Sequence, residues 1–181
     1  MCIRDRKDTV VFDLDGTLLD TLEDLKNSVN YAMTQCGYPE HTLDEVRRYV
    51  GNGILLLMQR AIPGGKDDPN FDKAFTLFKE HYGKHCNDTT KPYAGIMELL
   101  HTLKENNIKI AIVSNKADFA VKELNAIYFK DLILVAIGEK ESEGIRKKPA
   151  PDTVIEALKQ LGSTAENSVY ILSLIHISEP T

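Results

Sequence analysis

Hydrophobic residues follow two different rhythms along this chain. Behind Thr9, Val10-Val11-Phe12 is an unbroken apolar run, the composition of a strand covered on both faces. It breaks into Asp13-Leu14-Asp15-Gly16-Thr17, and from Leu22 the spacing becomes helical. Leu22, Leu25, Val29, Ala32 and Met33 form one stripe, with Thr21 and Asp24 in a capping pattern and Cys36-Gly37-Tyr38-Pro39 as the stop. Thr42-Leu43-Asp44-Glu45 is a capping box for a short helix that halts at Gly51-Asn52-Gly53. Ile54 to Ala61 reads as a third helix and Pro63 to Pro69 as a breaker loop. Phe71, Ala74, Phe75, Phe78 and Tyr82 then recur at helical spacing. From Asp20 to about Asn87 the pattern predicts a small helical bundle.

Strands and helices alternate after that. Ile96, Leu99, Leu100 and Leu103 mark a helix, Ile108 to Val113 a strand, Ala117 to Ile127 a helix and Leu132 to Ile137 a strand. Pro151 and Gly162 bracket a helix with Ile155, Leu158 and Leu161 as its expected buried face, and Ser168-Val169-Tyr170-Ile171 opens a further strand. Such alternation implies right-handed βαβ units on a parallel sheet. The expected class is therefore α/β, a Rossmann-like parallel sheet interrupted by a helical insertion. Residues 7–19 begin the core, 20–87 form the insertion and 88–171 resume the core.

Bulk properties narrow the partners. A chain of 181 residues allows one domain, or one domain with a smaller insert. A net charge of −5 argues against nucleic acid or an anionic membrane as the main partner. It leaves room for a small phosphate ester, because a divalent cation can supply local positive charge. Cys2, Cys36 and Cys86 have no pairing or ligand pattern, so they read as reduced thiols of a cytoplasmic protein. No apolar run approaches membrane-spanning length, and no signal-peptide profile opens the chain.

The chemistry concentrates at Asp13 and Asp15. Two acids one residue apart leave a strand end with different exposures, so one can serve as nucleophile or metal ligand and the other as proton shuttle. Gly16 permits close backbone approach to a phosphate. The plain alternative is an Asx-rich turn after a strand.

Asp13-Leu14-Asp15-Gly16-Thr17 resembles the first motif of the haloacid dehalogenase superfamily of phosphohydrolases. Val113-Ser114-Asn115 resembles the second motif. Lys148-Pro149-Ala150-Pro151-Asp152 resembles the third, in the form found in phosphoglycolate phosphatase-like members. The resemblance runs from about Lys7 to about Ile171 and makes the insertion a helical cap. It implies a phosphomonoester hydrolase for a small, phosphoglycolate-like metabolite. In it Asp13 attacks phosphorus, Asp15 is the acid and base, and Lys148 balances developing charge. By the same resemblance, Gly16, Thr17, Ser114 and Asn115 hold the phosphate, with backbone amides near Gly16 and Asn115 contributing. Mg²⁺ would rest on the Asp13 carboxylate and the Asp15 carbonyl. Asp15 argues against a dehalogenase, and Thr17 leans away from the sugar-phosphate mutases, which remain the alternative reading within the superfamily.

One departure stands out. Members of the superfamily place one or two acids after the strand that here reads Val169-Tyr170-Ile171, and this chain has none there. Residues 1–6 and 172–181 resemble translated sequencing-adapter read-through, so the expected chain is a C-terminally truncated core with non-native ends. A catalytically impaired phosphate-binding domain is accordingly a third reading.

Other candidates have ordinary explanations. Lys116 suits a substrate's far end or simply the surface. His81 and His85 lie four apart on a helix, as metal ligands can, but lack a nearby third ligand in the pattern. Arg47 and Arg48 suit a substrate carboxylate or a solvated helix face, and Gly51-Asn52-Gly53 a substrate-facing loop or a helix break.

Overall fold

The structure is a computed structural model that describes residues 7–51, 53–140 and 144–173. Asn52 and the chain ends lie outside the described residues, apart from Leu172 and Ser173. The chain divides into two compact units. One holds the residues up to Leu19 together with Pro92–Ser173, and the other holds Asp20–Lys91.

The first unit is built on a parallel sheet in the order β5-β4-β1-β6. The strands are β1 (Thr9–Phe12), β4 (Lys109–Ala117), β5 (Val135–Glu139) and β6 (Ser168–Ile171). β1 is central: Phe12 lies opposite Ile112 on one side and Ile171 on the other. Val11 and Phe12 are buried on opposite faces, which accounts for the unbroken apolar run. On one face Phe12, Leu14 and Ile112 pack with Leu100 of α5 (Ile96–Glu105) and Val121 and Leu124 of α6 (Asp118–Tyr128). On the other, Val11, Ala111, Val113 and Ile137 pack with Ala157 and Leu158 of α7 (Asp152–Gln160). Helices on both faces of a parallel sheet are the α/β architecture that the alternating pattern predicts.

The second unit is helical. It contains α1 (Leu22–Gln35), α2 (Leu43–Tyr49), α3 (Ile54–Ala61) and α4 (Phe71–His85) around Val29, Met33, Met58 and Phe78, all fully buried. The chain crosses between units at β2 (Leu19–Asp20) and β3 (Lys91–Pro92), which pair as a two-stranded ribbon. The Thr42 box forms as expected: Thr42 N–H donates to Glu45 Oε2 at 2.7 Å, and Glu45 N–H donates to Thr42 Oγ1 at 3.3 Å.

Four expectations need correction. Thr21 makes no side-chain cap bond, its backbone standing at φ −108° and ψ 2° rather than in the extended cap conformation, and the carboxylate of Asp24, 1% exposed, is taken by Thr89 and Thr90. The strand expected from Leu132 starts at Val135: Leu132 and Ile133 pack into the core before it, and Leu134 is 86% exposed. In α7 the inward face is Val154, Ala157, Leu158 and Leu161, which turns Ile155 out to solvent at 58% exposure. β4 also runs further than expected, through Asn115 to Ala117, with a register shift against β5 after Val113. That extension shapes the site.

Candidate active site

Sheet pairing continues one residue beyond β1. Asp13 N–H donates to the Ile171 carbonyl at 3.0 Å, which fixes the Asp13 backbone at the carboxyl end of the central strand. In open parallel sheets ligands bind outside this edge. The Asp13 side chain is 10% exposed, and Oδ1 accepts a 2.6 Å hydrogen bond from Lys148 Nζ. Burial pushes the Asp13 carboxyl up, against the pull of the Lys148 charge. For Lys148 burial acts downward, but Asp13 and then Tyr170 outweigh it and hold the amine above its usual range. Lys148 is therefore an ammonium at neutral pH. Its Nζ also reaches the Val113 carbonyl at 3.2 Å and sits 5.9 Å from the centre of the Tyr170 ring.

After Asp13 the chain makes a tight turn. The amides of Thr17, Leu18 and Leu19 all donate to the Leu14 carbonyl, at 3.2, 3.0 and 3.0 Å. Gly16 has φ +75°, the left-handed region that glycine enters without Cβ strain. Its N–H, expected to face a phosphate, instead donates to the Leu19 carbonyl at 2.8 Å. Asp15 is held on this turn with its side chain 21% exposed, and Lys116 Nζ donates to its Oδ1 at 3.1 Å. Each carboxylate thus has its own ammonium. Asp13 is the more buried carboxylate and Asp15 the more solvated one, the asymmetry that separate roles require.

β4 supplies the remaining groups. Ser114 is 3% exposed, and its hydroxyl accepts the Lys116 N–H at 3.2 Å while keeping a proton to donate. Asn115, expected at the phosphate, turns its carboxamide onto the backbone of Lys148, accepting its N–H at 2.9 Å and donating to its carbonyl at 3.1 Å. Thr17 Oγ1 accepts the Ser173 N–H at 3.0 Å.

Two residues hold places at this site that the sequence pattern does not assign them: Lys116, open between a substrate's far end and the surface, and Tyr170, read only as part of a strand. Lys116 has the profile of a surface lysine, yet its side chain is 4% exposed. The available signal is strand periodicity: two residues beyond Ser114, it continues β4. Tyr170 lies opposite Val11 in the register, so its position follows once β6 is placed beside β1.

The candidates in the helical unit form no comparable cluster. His81 and His85 stack at 4.3 Å between ring centres, and their Nδ1 atoms meet Ser28 Oγ at 3.0 Å and Asp88 Oδ2 at 2.8 Å. Parallel rings send their lone pairs side by side rather than toward one ion. Arg47 pairs with Asp44, and Arg48 Nε donates to the Asp44 carbonyl at 3.2 Å. Among the described residues no group of three or more His, Cys, Asp or Glu is placed to hold a metal. Nor is any helix there long and apolar enough to cross a membrane.

The donor set at Asp13 and Asp15 nevertheless fits magnesium in kind. The ion takes hard oxygen ligands and is commonly held by one or two carboxylates, with waters and substrate phosphate completing the octahedron. The Asp13 carboxylate and the Asp15 backbone carbonyl, two hard oxygens at this strand end, are donors of that kind.

Comparison with known proteins places this geometry. The profile of the haloacid dehalogenase-like hydrolases matches residues 10–171. A phosphoglycolate phosphatase of Pseudomonas putida is 30% identical over 168 residues, covering 90% of this chain and 61% of that protein. One from Thiobacillus denitrificans is 33% identical over 159 residues, covering 84% of this chain and 69% of its own length. The chain thus spans about three fifths to two thirds of these relatives. A crystal structure from Lactobacillus delbrueckii subsp. bulgaricus, described provisionally as a phosphoglycolate phosphatase, superposes with a TM-score of 0.84 at 33% identity. That match covers 95% of this chain and 81% of the other.

Proposed function

The chain belongs to the haloacid dehalogenase-like hydrolases, and from that premise we propose that it is a phosphatase of small phosphate monoesters, phosphoglycolate-like in substrate, working through an aspartyl phosphate with Mg²⁺ as cofactor. The observation that carries the reading is the pair at the central strand end: Asp13, 10% exposed, with Lys148 Nζ 2.6 Å from its Oδ1. Phosphoryl transfer asks a protein mainly for positioning and charge neutralisation, and this pair offers a fixed carboxylate nucleophile beside a fixed cation.

In the first half-reaction a carboxylate oxygen of Asp13 forms a bond to phosphorus as the bond from phosphorus to the ester oxygen breaks. Asp15, in its protonated form, gives its proton to the departing oxygen. In the second, a water attacks phosphorus, Asp15 takes the water's proton, and the bond from Asp13 to phosphorus breaks to release phosphate. Ser114 donates to a phosphate oxygen, and Lys148 offsets charge on the transferring group. The Asp13 carboxylate and the Asp15 backbone carbonyl would hold the magnesium, which supplies further charge neutralisation when bound. The names of the relatives support phosphoglycolate as the first substrate to try.

The test is Mg²⁺-dependent release of inorganic phosphate from phosphoglycolate and from a sugar phosphate, by the wild type and Asp13→Asn. The proposal expects release by the wild type and loss of at least about a thousandfold in the variant, the scale set by loss of a covalent nucleophile. Transfer of phosphate within the sugar phosphate, without release, would overturn it in favour of a mutase.

A further inference from the structure

Lys148 comes from a segment that is neither helix nor strand: residues 146–151 carry no regular structure in the described chain. Lysine has a four-carbon stem and no preferred partner geometry, so a lysine on a loop needs its backbone held if its ammonium is to stay on one oxygen. Here it is held from across the sheet. Asn115 Oδ1 accepts the Lys148 N–H at 2.9 Å, and Asn115 Nδ2 donates to the Lys148 carbonyl at 3.1 Å. The carboxamide thereby satisfies both peptide groups of one residue, as a neighbouring strand would.

The ammonium returns to the same strand. Lys148 Nζ donates to the Val113 carbonyl at 3.2 Å, two residues before Asn115, and to Asp13 Oδ1 at 2.6 Å. Lys148 is therefore tied to β4 at both ends, by its backbone and by the tip of its side chain. We infer that Asn115 is a positioning residue for Lys148: its side-chain carboxamide clamps the lysine's backbone so that Nζ remains on the nucleophile.

The chemistry asks for asparagine specifically. The fork needs one acceptor and one donor at the reach of a single methylene. Aspartate offers only acceptors, alanine neither, and glutamine carries the fork one methylene further. The role differs from phosphate holding by the backbone, because it belongs to the side chain and acts through another residue. It rests on the proposed use of Lys148 in phosphoryl transfer.

The experiment joins a structural readout to a kinetic one. Amide hydrogen exchange of Lys148 is followed by NMR in the wild type, Asn115→Ala and Asn115→Asp, with the Val11 and Ile112 amides as core references. Steady-state phosphoglycolate hydrolysis is measured on the same samples and on Lys148→Met. The clamp expects the Lys148 amide of Asn115→Ala to exchange at least about tenfold faster with the core references unchanged, the scale of losing a pair of neutral hydrogen bonds. It expects kcat to fall by a similar factor while KM moves less than about threefold, since the substrate's own contacts remain. Asn115→Asp keeps the acceptor for the Lys148 N–H, so its amide protection should stay near that of the wild type. Unchanged exchange in Asn115→Ala would overturn the clamp. Faster exchange with unchanged kcat would overturn the positioning role and leave only a structural one. Full turnover by Lys148→Met would refute both the inference and the use of Lys148 in the proposed function, and it is read from a separate sample.

Discussion

Asp24 provides a measure of what holds the helical unit together. It lies in the first turn of α1, is 1% exposed, and accepts from both Thr89 and Thr90, 65 and 66 residues later. Oδ1 takes the Thr89 N–H at 3.0 Å and the Thr89 hydroxyl at 2.6 Å; Oδ2 takes the Thr90 N–H at 2.9 Å and the Thr90 hydroxyl at 2.8 Å. These four donors differ in what they can do without Asp24. Thr89 is exposed and water can serve it. The Thr90 hydroxyl already reaches the Cys86 carbonyl at 3.1 Å, but Thr90 is 6% exposed and its N–H donates to Oδ2. Asp24→Ala takes the carboxylate acceptor from that buried N–H and removes the charge-assisted bonds, a cost of about 2–4 kcal/mol. Asp24→Asn can turn its remaining oxygen to Thr90 and leave its NH₂ toward the solvated Thr89, a cost of roughly 1–2 kcal/mol. With a urea m-value of about 1–3 kcal/mol/M, the alanine variant should lower the midpoint of the helical unit by roughly 1–2 M and the asparagine variant by about half that. Urea unfolding followed by far-UV circular dichroism reads both. A midpoint shift below about 0.3 M for Asp24→Ala, or a larger loss for asparagine than for alanine, would refute the reasoning.

Further predictions concern both units. Lys116→Met frees the Asp15 carboxylate to rotate, so kcat should fall about 10- to 100-fold, as misaligned catalytic groups do; wild-type turnover in this variant would make Lys116 a spectator. Asp15→Asn should hurt substrates with basic leaving groups more than nitrophenyl esters, because these need less protonation; equal losses across a leaving-group series would contradict an acid role. Burial, then the neighbouring His85, lowers the His81 pKa below 6.5. The unfolded chain therefore binds more protons just below pH 6.5, and stability should fall as pH drops through that value and further toward the folded-state pKa. Thermal unfolding of wild type and His81→Gln between pH 7.5 and pH 5.5 reads this, and an identical pH slope in both would contradict it.

The legible parts of the sequence were those where local chemistry and tertiary role coincide. The strand at Val10-Val11-Phe12 is apolar on both faces because helices cover both faces, and the Thr42 box closes through atoms three residues apart. What stayed hidden depends on partners far along the chain. Asp24 reads as a cap only until Thr89 and Thr90 arrive. Leu132 and Ile133 have strand composition but are buried ahead of β5. At the site, Asp13 and Lys148 were readable as motif residues, whereas the Lys116–Asp15 pair needed the extension of β4 beyond Val113, where polar residues hide a strand from a hydrophobic pattern.

The central claim is that Asp13 carries the phosphoryl group during turnover, and it has a direct measurement. Protein mixed with Mg²⁺ and excess phosphoglycolate is quenched in acid within milliseconds, reduced with borohydride, digested and sequenced by mass spectrometry. An acyl phosphate is reduced to the alcohol, so the phosphorylated aspartate appears as homoserine. The account predicts homoserine at position 13, none at position 15, and none at either position without substrate. Phosphate release at the wild-type rate with Asp13 unmodified throughout, or homoserine at Asp15 instead, would contradict it.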